Sequence, residues 1–343
     1  MNIVITGGAG FVGARLARTL LRQGNLALAG AAPQAISRLT LVDRVAPPED
    51  LVADARVAVV TGDLNELLKP NRTPALAIPT DTAIVFHLAA AVSGECEADF
   101  DLGMHSNLDA TRALLEACRA LGSAPTVVFA SSLAVFGDSP EQPAPPVLTD
   151  STLPTPQTSY GIQKFIGEQL VADYGRKGFI RARNVRLMTV SVRSGKPNGA
   201  ASSFFSGMIR EPLAGMPARC PVLPATAVAL SSPRLTIQGL LRAAETSDLD
   251  WGPRTAINLP ALTTTVGEMA AALERVAGKA ASALIDWTPD PVIRKIVATW
   301  PAIVNSERAR ELGLLPDDSF EAIIREYVRE NPQAVTVAVL PVR

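Results

Sequence analysis

The segment that most constrains this chain lies at its start. Residues 3–6 (IVIT) form a short apolar, β-branched run that passes directly into Gly7, Gly8, Ala9, Gly10, Phe11, Val12 and Gly13. Phe11, Leu16, Leu20 and Leu21 then recur at helical spacing. Glycines at 7, 10 and 13 permit a tight turn, close backbone approach and close packing of helix on strand. The helix N-terminus directs unpaired N–H groups and the positive end of its dipole into that turn, so the segment suits a pyrophosphate.

Short apolar runs alternate with helical patterns beyond this point. Strands are expected at 39–43, 57–63, 83–90, 125–132 and 180–191, and helices at 108–121 and 159–178. Strands that are apolar throughout, rather than alternating, have the pattern of a parallel sheet covered on both faces. The expected fold class is α/β, a Rossmann-type doubly wound parallel sheet with a smaller C-terminal substrate-binding lobe. Residues 1–190 are expected to form the dinucleotide domain, with a strand returned from 227–260, and 191–343 mainly the lobe. Residues 25–37 read as an insertion before the second strand. The Pro-, Gly- and Ser-rich stretch 192–235 reads as a loop-rich cap. Residues 266–278 and 319–331 read as amphipathic helices, and the proline-dense 140–156 and 289–301 as ordered loops or lids.

Charge and composition exclude several classes. The formal net charge is −1, so there is no basic excess for a nucleic acid and no polybasic run for an anionic membrane surface. Hydrophobic residues make up 48%, yet no uninterrupted apolar run reaches the roughly 18 residues that would suggest a membrane span. A cytoplasmic protein is expected. Cys96, Cys118 and Cys220 are far apart, and only His87 and His105 supplement them. Neither a metal site nor a disulfide framework is expected from these residues.

The second strand ends at Asp43, where a carboxylate holds both adenosine ribose hydroxyls and repels a 2′-phosphate. That favours NAD over NADP, with Arg44 alongside as the one neighbouring cation. Asp63, after the third strand, is a candidate for the adenine edge or a helix cap. Tyr160 and Lys164 stand at i, i+4 at the start of a helix and so share a face. A free tyrosine, with a pKa of about 10, is a poor base at neutral pH, and a nearby ammonium favours its phenolate. Ser132, at the C-terminal end of a strand, is placed to hydrogen-bond a reacting oxygen.

The pieces TGGAGFVG, LVDR, TGDL, FHLAA, FASSLAVFGD, SYGIQK and INLP together resemble the extended short-chain dehydrogenase/reductase superfamily. The resemblance implies NAD bound by Gly7, Gly10, Phe11, Val12, Gly13, Asp43, Asp63, Leu64, Leu88, Ala89 and Ala90, with Asn107, Tyr160 and Lys164 near its reactive end. It implies catalysis by Ser132, Tyr160 and Lys164, with Asn107 supporting them and Ser131 supporting Ser132. A homodimer through helices 106–121 and 158–177 is a further implication. The stretch VSVRSGKPNGAASSFFSGMIREPL, with SPR and TWPAIVNSERARELG, is similar to the D-erythronate dehydrogenase family, which oxidises a small sugar acid at its 2-hydroxyl. Ser93, Ser132, Thr189, Arg193, Asn198, Ser202 and Arg234 are then the substrate candidates, an arginine fork suiting a carboxylate. Met188 stands where that pattern would have proline. The alternatives are a nucleotide-diphosphate-sugar epimerase that retains its NAD and a non-catalytic dinucleotide sensor. Leu133 and Ala134, where a dehydratase carries an Asp-Glu pair, argue against a dehydratase.

Overall fold

The computed structural model describes residues 1–69, 77–195 and 200–341, which fall into two compact units. The first comprises Met1–Val135, Thr158–Arg186 and Ile237–Ile257. Its strands are β1 (Asn2–Thr6), β2 (Arg38–Asp43), β3 (Val57–Thr61), β4 (Thr82–His87), β5 (Thr126–Ser132) and β6 (Arg181–Leu187). They lie in the order β3-β2-β1-β4-β5-β6, and Ile257–Asn258 adds a seventh strand beside β6. The β1–β2, β2–β3, β1–β4 and β4–β5 pairings are all parallel. This is the doubly wound order, and its direction reverses between β2 and β4, on either side of β1. Thr6 pairs with Val42 on one side and His87 on the other, so three strands end level where a ligand would lie.

Helices α1 (Phe11–Gln23), α2 (Ala110–Ala120) and α3 (Ser159–Arg176) belong to this unit. Each forms for a local reason. Gly24, in the left-handed region at φ 69°, ends α1 by donating its N–H to the Leu20 carbonyl. Thr158 caps α3 by accepting the Gly161 N–H at 3.1 Å. A π-helical turn, Met104–Asp109, runs straight into α2, where a continuous helix from 108 was expected. Val4, Val85, Leu114, Leu115 and Val127 pack in one core. Burying each such side chain contributes about 1.5–3 kcal/mol. The insertion at 25–37 pairs Asn25–Leu26 antiparallel with Gln34–Ala35.

The single strand expected at 180–191 is in fact two. Beyond Leu187 the chain leaves the main sheet, and β7 (Thr189–Val190) pairs with β8 (Ala227–Ser231), which also pairs antiparallel with Leu262–Thr265. Periodicity does not register that change of partner, because both pieces are extended and only Met188 separates them. This three-stranded sheet belongs to the second unit, made of Phe136–Gln157, Leu187–Thr236 and Asn258–Arg343.

Two stretches expected as loops contain helices there. In the first, α4 (Ser203–Leu213) buries Phe205, Met208, Ile209 and Leu213 at helical spacing despite Pro212. The second, Pro291–Ala298, starts with proline at its N-terminus, and Asp290 accepts the N–H groups of Val292 and Ile293. Helices Val266–Ser282 and Phe320–Glu330 pack with α4 around Met269, Leu273 and Ile324. Cys96, Cys118 and Cys220 are buried and form no disulfide. Among the described residues, no helix is long and apolar enough to cross a membrane.

Candidate active site

Sterics explain the glycine spacing. Gly7 has φ 72°, and a Cβ there would sit 2.8 Å from the Ala89 nitrogen. A Cβ on Gly13 would sit 2.1 Å from the Gly7 carbonyl oxygen, and one on Gly10 3.2 Å from the same atom. The turn is thus packed against both its own helix and the 88–91 loop. Gly10 is the N-cap of α1 and offers no side-chain oxygen; the first turn, with Phe11, Val12 and Gly13, carries no acidic residue. Its N–H groups and positive dipole end suit a pyrophosphate, so the residues present fit a dinucleotide.

A cleft of about 340 Å³ opens beside this turn, lined by Gly7, Gly10, Asp43, Asp63, Leu64, Leu88, Ala89 and Ala90 among others. Eight sequence candidates for the cofactor therefore meet in one cavity. Arg44, weighed from sequence as the cation beside Asp43, also lines it, as do Thr6, Asn65 and Ser106, which were not singled out for the cofactor. Asp43 braces the cleft: one carboxylate oxygen accepts the Ala9 N–H at 2.9 Å and the other the Arg44 N–H at 2.7 Å. The Arg44 guanidinium donates to Asp63 at 2.8 Å and to the Ser106 hydroxyl at 3.0 Å, so its charge is met within the protein. Asp63 also caps the helix Leu64–Leu67 by accepting the Asn65 N–H at 2.9 Å. Burial pushes the Asp63 carboxyl upward, but the Arg44 and Asn65 hydrogen bonds outweigh it and hold it below the usual range.

The reactive groups come from β5 and α3. Lys164 is buried, and its Nζ donates to the Ala130 carbonyl at 2.9 Å. The same ammonium lies 5.7 Å from the centre of the Tyr160 ring and 5.0 Å from that of Phe129. Burial pushes its pKa down to about 8, against the opposing pull of Cys96 and Glu168. Ser132 ends β5 and accepts the Ala134 N–H at 3.1 Å. Ser131, pointing the other way along the strand, donates to Glu168 at 2.5 Å, and Glu168 pairs with the buried Arg186 at 2.7 Å. Strand β5 is thereby pinned to α3, the helix that carries Tyr160 and Lys164.

Asn107 sits in the π-helical turn with its amide fully engaged. Its Oδ1 accepts the Ala91 N–H at 2.8 Å, and its Nδ2 donates to Gln163 Oε1 at 2.8 Å and to the Ala91 carbonyl at 3.2 Å. It holds the 88–91 loop and α3 together, which makes it a positioning residue. Gln163, buried on α3 three residues after Tyr160, is the partner not singled out from sequence. A buried-face glutamine inside a helix was the available signal.

Of the substrate candidates, Ser93 begins the short helix Ser93–Ala98 in the first unit. Thr189, Arg193, Ser202 and Arg234 lie in the second unit, and Asn198 lies outside the described residues. Thr189 is paired with Leu230, and the Arg193 N–H donates to the Ser206 hydroxyl at 3.0 Å. Ser202 is the N-cap residue of α4. Arg234 faces Asp317 at 3.0 Å and Glu326 at 3.2 Å.

Comparison with known proteins agrees with this geometry. Residues 3–226 match the NAD dependent epimerase/dehydratase family. The chain is 53% identical to a D-erythronate dehydrogenase of Cupriavidus necator, covering 96% of this chain and 98% of that protein. It is 40% identical to a D-erythronate dehydrogenase of Haemophilus influenzae, covering 96% and 99% respectively. A crystal structure described as the nucleoside-diphosphate-sugar epimerase of Agrobacterium tumefaciens superposes with a TM-score of 0.88 at 39% identity, covering 97% of this chain and 95% of that one. With its doubly wound sheet, glycine cradle and Tyr160–Lys164 helix, the chain belongs to the NAD dependent epimerase/dehydratase family and is an NAD-dependent enzyme of the extended short-chain dehydrogenase/reductase type.

Proposed function

We propose that this enzyme oxidises the 2-hydroxyl of a small sugar acid, D-erythronate, to the 2-oxo acid, with Tyr160 as the base. The observation that carries the substrate is the 53% identity to a D-erythronate dehydrogenase along nearly the whole of both chains. The chemistry rests on the first unit. The buried Lys164 ammonium near the Tyr160 ring favours the phenolate, which takes the proton of the substrate hydroxyl. Ser132, whose oxygen accepts the Ala134 N–H, directs its own proton to the reacting oxygen. NAD, when bound, supplies the acceptor for the hydride that leaves the same carbon. With its proton taken up by Tyr160, the reacting oxygen becomes the carbonyl of the 2-oxo acid.

Arg193 and Arg234 are the proposed cations for the substrate carboxylate, an arginine fork suiting its two oxygens. Ser93, Thr189, Asn198 and Ser202 are the proposed hydroxyl partners. The adenosine ribose is assigned to Asp43, whose charge selects NAD. We place the protein in the cytoplasm, where three unpaired cysteines remain reduced. A homodimer through the helices at 106–121 and 158–177 is supported by Ile162 and Ile166, which are exposed on α3. Light scattering tests it, and a monomer at high concentration would reject it.

The test of function follows NADH absorbance with NAD and a panel of free C4 to C6 sugar acids, with NADP as second cofactor. D-Erythronate-dependent NADH formation that disappears in Tyr160→Phe is the expected result. The Agrobacterium structure described as an epimerase favours a second reading, retention of NAD through turnover of a nucleotide sugar. No turnover of any free acid, with NAD co-purifying, would select it.

A further inference from the structure

His87 is fully buried at the end of β4, and the mechanism above does not use it. Its partners dictate its protonation. The Thr111 hydroxyl donates to the Asn107 backbone carbonyl at 2.6 Å, an atom that only accepts. With that proton committed, the Thr111 oxygen, 3.0 Å from His87 Nε2, receives a hydrogen from the ring. Nδ1 of a neutral ring is then bare and accepts the Thr6 hydroxyl proton at 2.7 Å. The Thr6 oxygen in turn accepts the Ala89 N–H at 3.3 Å. Burial, reinforced by the charge of Lys164, pushes His87 down to about 3, so the ring is neutral at physiological pH.

These bonds close a circuit. Ala89 is tied through Thr6, His87 and Thr111 to the backbone of Asn107, and the Asn107 side chain returns to Ala91. Both ends of the loop that lines the dinucleotide cleft are therefore anchored on one residue, which also grips Gln163 between Tyr160 and Lys164 on α3. We infer that His87 is a positioning residue, held as the neutral Nε2–H tautomer, that sets the 88–91 cofactor loop in register with the catalytic helix. This inference rests on NAD binding and is independent of which sugar acid is oxidised.

Two measurements test it, neither requiring a substrate. Long-range ¹H–¹⁵N spectra report which ring nitrogen carries the proton. The chain has two histidines, so a His105→Gln sample assigns the His87 signals. A protonated Nε2 with a bare Nδ1, unchanged between pH 8 and 6, is expected; an Nδ1–H tautomer or a cation in that range would overturn the proposal. The second measurement is NADH affinity by fluorescence titration of folded Thr111→Val and Thr111→Ser. Thr111→Val should weaken binding about five- to tenfold, the factor one buried hydrogen bond carries, and Thr111→Ser should restore it. Affinity within twofold of wild type in Thr111→Val, or equal loss in both variants, would sink the idea. Should Thr111→Val fail to fold, the tautomer in the native protein still decides. If no sugar acid is turned over while these results hold, the substrate assignment fails and the positioning role stands.

Discussion

Lys164 donates its ammonium hydrogen to the Ala130 carbonyl at 2.9 Å, which fixes a charge inside the protein on the Tyr160 face of α3. That position has a measurable cost. The folded pKa of about 8 lies below the ordinary 10.5, so between these values the unfolded chain binds more protons and stability rises with pH. The penalty, about 3 kcal/mol from the size of the shift, is complete below about pH 8 and fades towards pH 10.5. Lys164→Met should therefore unfold at a higher temperature than wild type at pH 7, with the gap narrowing by pH 10. The same variant should lose activity about 100-fold or more through loss of support for the phenolate. A constant gap in unfolding temperature would contradict the burial of the charge.

Tyr160→Phe keeps the ring and removes the oxygen. Turnover should fall by about 10²–10⁴-fold, the usual range for a general base, while NADH affinity stays within about twofold. Stopped-flow single turnovers beside fluorescence titration separate the two effects. Substantial residual turnover would move the base elsewhere.

Asp43 offers a test of cofactor choice. Asp43→Asn keeps an oxygen for the Ala9 N–H and removes the charge that repels a 2′-phosphate. The ratio of kcat/KM for NADP to that for NAD should rise by about tenfold, the equivalent of about 1.4 kcal/mol. Because Arg44 stays engaged by Asp63 and Ser106, full reversal to NADP is not expected. An unchanged ratio in steady-state kinetics would remove Asp43 from the ribose site.

His87 makes the fold acid-sensitive. Its folded pKa, about 3 against the ordinary 6.5, means that the unfolded state takes up a proton the native state refuses. Stability should drop as pH falls from about 6.5 towards 3. Urea unfolding of His87→Gln should show a shallower loss over that interval than wild type. Parallel pH profiles for the two proteins would show that His87 is not the group responsible.

Two glycines should respond very differently to alanine. In Gly13→Ala the new Cβ would stand 2.1 Å from a backbone carbonyl oxygen, so the turn must open; destabilisation above about 3 kcal/mol and loss of NADH binding are expected. Gly24 has φ 69° with nothing within 4 Å of its Cβ position, so Gly24→Ala should cost only about 1–2 kcal/mol of conformational strain and leave binding unchanged. Chemical denaturation of both variants checks the contrast.

The parts of the fold that depend on neighbours along the chain were legible in the residues alone. The strand, glycine turn and helix at 2–23 follow from local φ and the room each Cβ would need. Tyr160 and Lys164 share a face because α-helical geometry puts i and i+4 together. Which polar group meets which came from the assembled fold. Asn107 finds Gln163 56 residues away, Arg234 finds Asp317 83 residues away, and Arg44 turns to Asp63 and Ser106. It also split the 180–191 run between two sheets and folded α4 through a proline-rich stretch. Hydrophobic periodicity records how much of a segment is buried, while the partner of a buried polar atom is set by packing between distant elements. That is why His87 and Gln163, unremarkable in the sequence, emerge as the joints of the site only once the sheet and helices are assembled.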